Sequence, residues 1–334
     1  MNRRAFLFAS ASTAAFAASP ARLRIGQIGT EHAHAVGKME AMRSLTDLWE
    51  VVSVTGPKGY DGVKSMSVEE LLAVPDLSAV AVETTIENSC AMARRCIDAG
   101  KHIHLDKPGA LDHAEFKAMR LEAEKRTLTV QMGYMLRYNP AFELLFRAVN
   151  DGWLGQITEI DAAMGKLADP VTRGKIGALE GGGLFELGCH IIDATLTILG
   201  KPASVTPFST PTSDDGVKDN QMAVLSYPNA TAIIRCNHAD PFGGPRRRFN
   251  VTGTEGTMEI LPLESGKVTL SLTKARGAYK KGTQTFQLDV PKGRYDAEFV
   301  DLAKVVRREK KLAWDAAHDI AVHETVLRAA GIWG

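Results

Sequence analysis

Three ionisable side chains, Glu186, His190 and Asp193, interrupt a long apolar stretch in the second half of the chain. Residues 184–200 follow a helical pattern that is apolar on nearly every side, which predicts a buried helix. At 3.6 residues per turn, the three side chains fall within roughly 60° of one another. Burial without partners is costly for such groups, so the pattern indicates either a satisfied polar cluster in the core or an acid–base site.

Gly181-Gly182-Gly183 directly precedes this stretch and allows backbone or a ligand to approach closely. Among the three ionisable residues, His190 has the unperturbed pKa that suits a general base near neutral pH. We therefore favour the acid–base interpretation over the core cluster.

The rest of the chain predicts two domains that position this segment. Strands and helices alternate between residues 23 and 134, which predicts a parallel, doubly wound sheet with helices on both faces. Ligands of such sheets lie beyond the carboxyl ends of the strands. After Pro140 strands dominate, and two helices at residues 295–308 and 316–330 end the chain. The fold class is therefore α/β, with a first domain over residues 22–137 and a second, α+β domain with a large, mostly antiparallel sheet over residues 138–334.

Composition and charge exclude several classes of partner. The 334 residues are 45% hydrophobic and 24% charged, as in ordinary soluble globular proteins. With 40 Lys and Arg against 39 Asp and Glu, the formal net charge is +1, so no basic field argues for nucleic acid or a membrane surface.

The first residues resemble an export signal. Asn2-Arg3-Arg4, followed by an apolar run of small residues, is typical of a twin-arginine signal, which we assign to residues 1–21. The run is too short to span a bilayer comfortably, so we expect a mature protein without a membrane anchor, in the periplasm or outside the cell. That route exports proteins that have already folded in the reducing cytoplasm. We therefore interpret the four cysteines, which lack C-x-x-C spacing, as buried thiols: Cys90, Cys96, Cys189 and Cys236.

Four motifs in order resemble those of the glucose–fructose oxidoreductase / inositol dehydrogenase (Gfo/Idh/MocA) family, and the likeness covers nearly everything from Leu23 onward. They are Asp106-Lys107-Pro108, Met132-Gly133-Tyr134 with Arg137-Tyr138-Asn139-Pro140, Gly181-Gly182-Gly183 through Asp193, and Gly253-Thr254-Glu255-Gly256-Thr257. Each motif alone is a weak signal, whereas all four in the right order are a strong one.

The resemblance implies a Rossmann-type first domain and NAD(P)-dependent oxidation or reduction of sugars, cyclitols and related polyols. It assigns catalysis to Lys107, Glu186 and His190. It also places Asp193, Arg137 and Tyr134 at the substrate, and it implies a homo-oligomer, a dimer or tetramer, formed through the exposed face of the large sheet. A base at the reacting hydroxyl typically contributes about 10²- to 10⁴-fold. For Lys107 the alternative is a surface lysine at the end of a strand.

The dinucleotide-binding loop departs from the family pattern. A G-x-G-x-x-G motif is expected after the first strand, but the chain has Gly29-Thr30-Glu31-His32-Ala33-His34. A Glu31 carboxylate about 4 Å from a phosphate would cost about 4 kcal/mol at an effective dielectric constant near 20. The second strand also ends without an acidic residue for the ribose, and Lys58 there favours tolerance of a 2′-phosphate. We still assign the cofactor to one group of residues: Gly29, Thr30, Glu31, His32, Thr55, Thr84 and Lys107.

The pair His32-x-His34 allows three interpretations. The two histidines could ligate a metal together with His190 and Glu186, serve the active site without a metal, or pack locally. Two-residue spacing alone is a poor metal signal, so the sequence predicts no metal site.

We expect an exported oxidoreductase that retains NAD or NADP tightly and acts on a small carbohydrate or polyol. One alternative keeps the cofactor but cleaves a glycosidic bond by transient oxidation and elimination. Another is a carbohydrate-binding or scaffold protein that has lost the cofactor. Bound nicotinamide in the purified protein separates the first two from the third.

Overall fold

The structure is a computed structural model, and it describes residues 21–333. The predicted export signal over residues 1–21 lies, apart from Ala21, outside the described residues.

A five-stranded parallel sheet forms the first half of the fold, in the strand order β2-β1-β3-β4-β5. Helices separate its strands, as the alternating pattern predicted. The strands are β1 (Leu23–Ile28), β2 (Trp49–Thr55), β3 (Leu77–Val82), β4 (His102–Leu105) and β5 (Val130–Met132). The helices are α1 (Ala35–Ser44), α2 (Val68–Leu72), α3 (Ile86–Asp98) and α4 (His113–Lys125).

An eight-stranded sheet forms the second half, in the order β13-β12-β11-β10-β6-β9-β8-β7. Only β6 and β9 pair in parallel, so the prediction of a mostly antiparallel sheet is confirmed. Its strands are β6 (Ile157–Ala163), β7 (Ser204–Thr210), β8 (Asn220–Ser226), β9 (Thr231–Asn237), β10 (Arg248–Gly253), β11 (Gly256–Ile260), β12 (Lys267–Leu272) and β13 (Gly282–Gln287).

The predicted buried helix over residues 184–200 divides into two parts. A π-helical turn, Leu184–Gly188, leads into α7 (Cys189–Leu199), whose first eight residues are buried. A π turn has more residues per turn than an α-helix. The predicted alignment of Glu186, His190 and Asp193 assumed 3.6 residues per turn, so it does not hold across this turn. The chain enters this segment through two further helices, α5 (Pro140–Asn150) and α6 (Pro170–Ala178).

The last two helices, α8 (Asp296–Val306) and α9 (Ala316–Ala329), return to the first sheet. Phe299 packs into the core beneath β1 and α1 with Ile25 and Met39, and the indole of Trp49 donates a hydrogen bond of 3.0 Å to the Phe299 carbonyl. The second half of the chain therefore supplies one wall of the first sheet's core.

All four cysteines are buried and free, as expected. Within residues 21–333, no helix has the length and apolar character needed to cross a membrane.

Candidate active site

Lys107 and Glu186 meet between the two halves of the fold. Lys107 lies just beyond β4, and its Nζ donates hydrogen bonds to the Glu186 carbonyl at 2.7 Å and to Glu186 Oε1 at 3.0 Å. The lysine is 2% exposed, whereas the Glu186 side chain is 29% exposed. The charge of Lys107 outweighs burial and lowers the pKa of Glu186 to about 2. Burial lowers the pKa of Lys107, but the carboxylate of Glu186 more than offsets it and the net shift is upward. At neutral pH the pair is an ammonium and a carboxylate.

His190 lies in the first turn of α7 and is buried. Its ring makes an edge contact with Tyr134 at 5.8 Å between centroids, and its Nδ1 is buried without a hydrogen-bond partner among the described residues. Burial, and then the positive charge of Lys107, hold the pKa of His190 well below its usual value. The imidazole is therefore neutral at physiological pH and has a free nitrogen.

Asp106, the residue before Lys107, organises a second cluster at the carboxyl end of β4. Its Oδ2 lies 2.8 Å from His32 Nδ1, 3.0 Å from His34 Nδ1 and 2.9 Å from Lys38 Nζ. Its Oδ1 accepts the backbone N–H of Lys107 at 2.7 Å. Burial would raise the pKa of Asp106, but the charge of Lys38 and then His32 more than offsets burial and the carboxyl stays ionised.

Lys38 also pairs with Glu83 at 3.0 Å, and all of these groups are almost fully buried apart from the two histidines. Burial raises the pKa of Glu83 well above its usual value, only partly offset by Lys38. Sequence reasoning did not identify Lys38, Glu83 or Asp106 as site residues. The available signal was position, since Glu83 and Asp106 follow β3 and β4 directly.

The residues assigned to the cofactor lie at the carboxyl ends of β1, β2 and β3, with Lys107 beyond the end of β4. Gly29 has φ +93°, and a Cβ there would lie 2.5 Å from the Thr84 backbone nitrogen, so this turn requires glycine. The Thr30 hydroxyl accepts the Lys58 N–H at 3.2 Å, which ties this loop to the chain beyond Thr55. Gly29 therefore forms the tight turn that the first glycine of a dinucleotide motif provides.

The same loop is altered where a diphosphate would bind. The Glu31 carboxylate accepts the Thr30 N–H at 2.5 Å, and the His32 N–H donates to the Glu83 carbonyl at 3.1 Å. Glu31 is exposed and can rotate into solvent, which frees the Thr30 N–H. The loop thus fits a dinucleotide once Glu31 has turned away.

Arg137 and Asp193, predicted at the substrate, bind each other in a buried network. Arg137 Nη2 lies 2.6 Å from Asp193 Oδ1 and 2.7 Å from Asp319 Oδ1. Arg120 Nη2 lies 2.6 Å from the other Asp319 oxygen, Oδ2, and His318 Nε2 lies 3.0 Å from Asp193 Oδ1. The three ionisable residues of the apolar segment therefore enter different surroundings: Glu186 faces Lys107, His190 faces Tyr134, and Asp193 faces Arg137. Tyr134 is 2% exposed and stacks under the Arg137 guanidinium, 4.9 Å from the ring centroid.

Comparison with protein families matches most of the chain. Residues 23–134 match the description "Oxidoreductase family, NAD-binding Rossmann fold", and residues 142–259 match "GFO/IDH/MocA C-terminal domain".

Among relatives, bovine trans-1,2-dihydrobenzene-1,2-diol dehydrogenase is 28% identical over 208 residues, which are 61% of this chain and 59% of the relative. The chain thus spans less than two thirds of that relative. Inositol 2-dehydrogenase of Rhizobium meliloti is 25% identical over 246 residues, 71% of this chain and 73% of the relative. A solved levoglucosan dehydrogenase in complex with NADH and levoglucosan has the same fold, with a TM-score of 0.81 at 17% identity over 93% of this chain and 97% of the other.

Proposed function

The chain belongs to the Gfo/Idh/MocA family of oxidoreductases, and from this membership we propose that it transfers a hydride between bound NAD(P) and a hydroxyl-bearing carbon of a sugar, cyclitol or related polyol. The observation that carries the proposal is a charged Lys107, held by Glu186, whose field acts on a neutral, buried His190. Relatives named for inositol and for a dihydrobenzenediol support a hydroxyl-bearing ring as substrate.

When bound, NAD(P) supplies the acceptor or donor of the hydride. The contribution of this chain is at the hydroxyl oxygen, which must lose its proton as the hydride leaves carbon. The neutral His190 imidazole accepts that proton, and the Lys107 ammonium stabilises the negative charge that develops on the oxygen. Glu186 keeps Lys107 protonated and holds its Nζ in place. Since Lys107 and His190 are buried, the Lys107 charge acts on the site through a lower effective dielectric constant than in water.

The cofactor would be held along the carboxyl ends of the first three strands. Gly29 and Thr30 would meet the diphosphate, Thr55 and Lys58 the adenosine ribose, and Thr84 the nicotinamide end, next to Lys107. The absence of an acidic residue directly after β2 leaves room for a 2′-phosphate, so both NAD and NADP are accommodated.

The cellular setting is part of the same proposal. The twin-arginine pattern at the N-terminus supports export to the periplasm or beyond, where no free NAD(P) pool exists. We infer tight retention of the cofactor, and a homo-oligomer formed through the exposed face of the second sheet.

The test is turnover of the purified protein with NAD⁺ or NADP⁺ and a panel of sugars and cyclitols, with Lys107→Met and His190→Asn as variants. We expect each variant to lose at least about 10²-fold in kcat while keeping its circular dichroism spectrum. Lys117→Met, at an exposed position on α4, is the matched control and should retain activity. Full activity in either active-site variant would refute the assignment. Release of an aglycone without net NADH would instead identify the glycosidic alternative.

A further inference from the structure

Two histidines and one aspartate converge at the carboxyl ends of β1 and β4. The ligand atoms of His32, His34 and Asp106 all lie within 4.8 Å of one another. Both imidazole Nδ1 atoms are at hydrogen-bond distance from a single oxygen, Asp106 Oδ2, at 2.8 and 3.0 Å. Two imidazoles and a carboxylate form a donor set that divalent transition-metal ions adopt in proteins.

Access to this cluster is one-sided. The Asp106 side chain is 2% exposed, whereas the side chains of His32 and His34 are 11% and 19% exposed. The carboxylate thus lies at the base, with the imidazoles nearer to solvent. Three protein ligands leave at least one coordination position open, as in metal sites that act on a substrate rather than in closed structural sites.

The charges around the cluster leave room for a cation. Asp106 and Glu83 are both buried and share one ammonium, that of Lys38, at 2.9 and 3.0 Å. The other nearby lysine, Lys107, is paired with Glu186. Both Glu83 carboxylate oxygens lack an ordinary hydrogen bond among the described residues, and Glu83 Oε2 lies 4.0 Å from His32 Nδ1. A divalent ion on Asp106 Oδ2 would take the place of Lys38 there, and Lys38 would keep Glu83 as its partner.

A backbone hydrogen bond already holds the Asp106 carboxylate in place. The Lys107 backbone N–H donates to Asp106 Oδ1 at 2.7 Å and leaves Oδ2 turned toward the histidines. Ligands that are oriented by such hydrogen bonds bind metals more tightly. In the dinucleotide motif, His34 occupies the position of the third glycine, so the substitution that weakens the motif also supplies a ligand.

We propose that His32, His34 and Asp106 bind one divalent transition-metal ion next to Lys107. The ion would keep its open positions on the side of the two histidines, which are more exposed than Asp106, and it would act as a Lewis acid on a substrate oxygen bound there. The spacing of His32 and His34 alone did not predict this site, because the third ligand is 72 residues from His34. Binding of the ion does not depend on hydride transfer, whereas its Lewis-acid role rests on the proposed function.

The experiment uses tag-free protein that has been stripped with EDTA and then titrated with Co²⁺, whose visible absorption reports ligand number and geometry. We expect one Co²⁺ per chain, displaced by Zn²⁺. His32→Ala and His34→Ala should each weaken binding by at least about tenfold, since each removes a ligand. His113→Ala, whose ring stacks on His323 away from this cluster, is the matched control and should bind Co²⁺ as the wild type does.

Asp106→Asn serves as a third variant of nearly the same shape, and circular dichroism shows whether each variant is folded. Zn²⁺ should raise the melting temperature of the wild type and of His113→Ala, but not that of the histidine ligand variants. The proposal is overturned if the wild type binds no stoichiometric Co²⁺, or if binding is unchanged in both His32→Ala and His34→Ala. Dinucleotide affinity is measured separately on the metal-free protein, so a failure of the redox proposal does not affect this result.

Discussion

Lys107 donates to Glu186 twice, once to the backbone carbonyl and once to the carboxylate. The backbone contact ties the lysine at the end of β4 to the π-helical turn before α7. Because that turn belongs to the second half of the chain, a change in either half moves the reacting groups of the other. The carboxylate contact sets the charge of the lysine, and the carbonyl contact sets its position.

Replacing Glu31 should tighten dinucleotide binding. Its carboxylate now occupies the Thr30 N–H that a diphosphate would need, at 2.5 Å, and it repels phosphate charge. We expect Glu31→Gly to lower the NADH dissociation constant by about tenfold or more, measured by fluorescence titration.

Glu31→Gln removes the negative charge, but its amide oxygen can still accept the Thr30 N–H. It therefore separates the effect of the charge from the effect of blocking that N–H. It should give a smaller gain than Glu31→Gly. Glu115→Gln, at an exposed position on α4, is the control and should leave the affinity unchanged. Unchanged or weaker binding in Glu31→Gly would mean that Glu31 does not face the phosphates.

Removing Arg137 should destabilise the fold strongly. The guanidinium bridges the buried carboxylates of Asp193 and Asp319, which would then lie close together with only His318 and Arg120 as partners. Breaking a buried ion pair from one side typically costs about 3–5 kcal/mol. We expect a loss of that size in the free energy of unfolding of Arg137→Leu, measured with urea.

The exposed ion pair of Arg95 and Glu69 provides the comparison, with side chains 45% and 73% exposed. Arg95→Leu should cost no more than about 1 kcal/mol. Equal effects of the two substitutions would argue that Arg137 contributes little to the fold, and would favour its predicted contact with substrate.

The apolar patterns were sufficient for much of the fold, but they could not reveal the buried charges. Short apolar runs over residues 77–82, 102–105 and 231–237 predict strands, and β3, β4 and β9 have these bounds. The amphipathic pattern over residues 35–48 predicts a helix of that length, but α1 ends at Ser44, because Leu45 leaves the helical conformation with ψ 54°. Helix α6 was missed because two glycines, Gly174 and Gly177, obscure a helix that Asp169 caps and Pro170 begins.

In the candidate site, too, the sequence predicts some residues and not others. Lys107 and Glu186 were recognised through motifs, and they do meet. Asp106, Lys38 and Glu83 lie on three separate elements, and no local spacing relates them. Only the parallel order of β1, β3 and β4 brings their side chains to one edge.

Glu298 should make the stability of the protein depend on pH. Burial raises its pKa to about 8, and its Oε2 lies 3.3 Å from His104 Nε2. His104 Nδ1 lies 2.9 Å from Gln131 Oε1, which can only accept, so the proton is on Nδ1 and Nε2 is free to accept the O–H of a protonated Glu298. Burial lowers the pKa of His104 to about 3, in agreement with a neutral ring. The other charges that act on Glu298 are those of Lys38, Asp106, Arg294 and Arg137.

In the unfolded chain Glu298 loses its proton near pH 4.5, whereas the folded protein keeps it to about pH 8. Its contribution to stability is therefore complete below pH 4.5 and is lost as the pH rises to 8. Glu298→Gln has no proton to lose, so its free energy of unfolding should fall less between pH 5 and pH 8, by about 1–3 kcal/mol. Glu124→Gln, at an exposed position on α4, should follow the wild type. Parallel curves for Glu298→Gln and the wild type would show that Glu298 is ionised in the folded protein.

A single methyl group at Gly183 should disturb the site through His238. Gly183 has φ −70°, so alanine is allowed by the backbone, but its Cβ would clash with the His238 ring. That ring is 1% exposed and cannot move aside freely. The π-helical turn must then shift, and with it the Glu186 carbonyl and carboxylate that hold Lys107. We expect Gly183→Ala to lower the free energy of unfolding by about 1–3 kcal/mol and to lower kcat as well.

Gly188→Ala is the matched control, because the nearest atom to its added Cβ is Leu184 Cγ at 3.1 Å, a contact that requires only a small shift of that side chain. It should cost less than Gly183→Ala in both measurements. The clash itself is tested by a double-mutant cycle with His238→Ala, which removes the obstructing ring. If the clash is the cause, Gly183→Ala will cost markedly less in the His238→Ala background than in the wild type. Additive effects would place the cause in the backbone of the π turn instead.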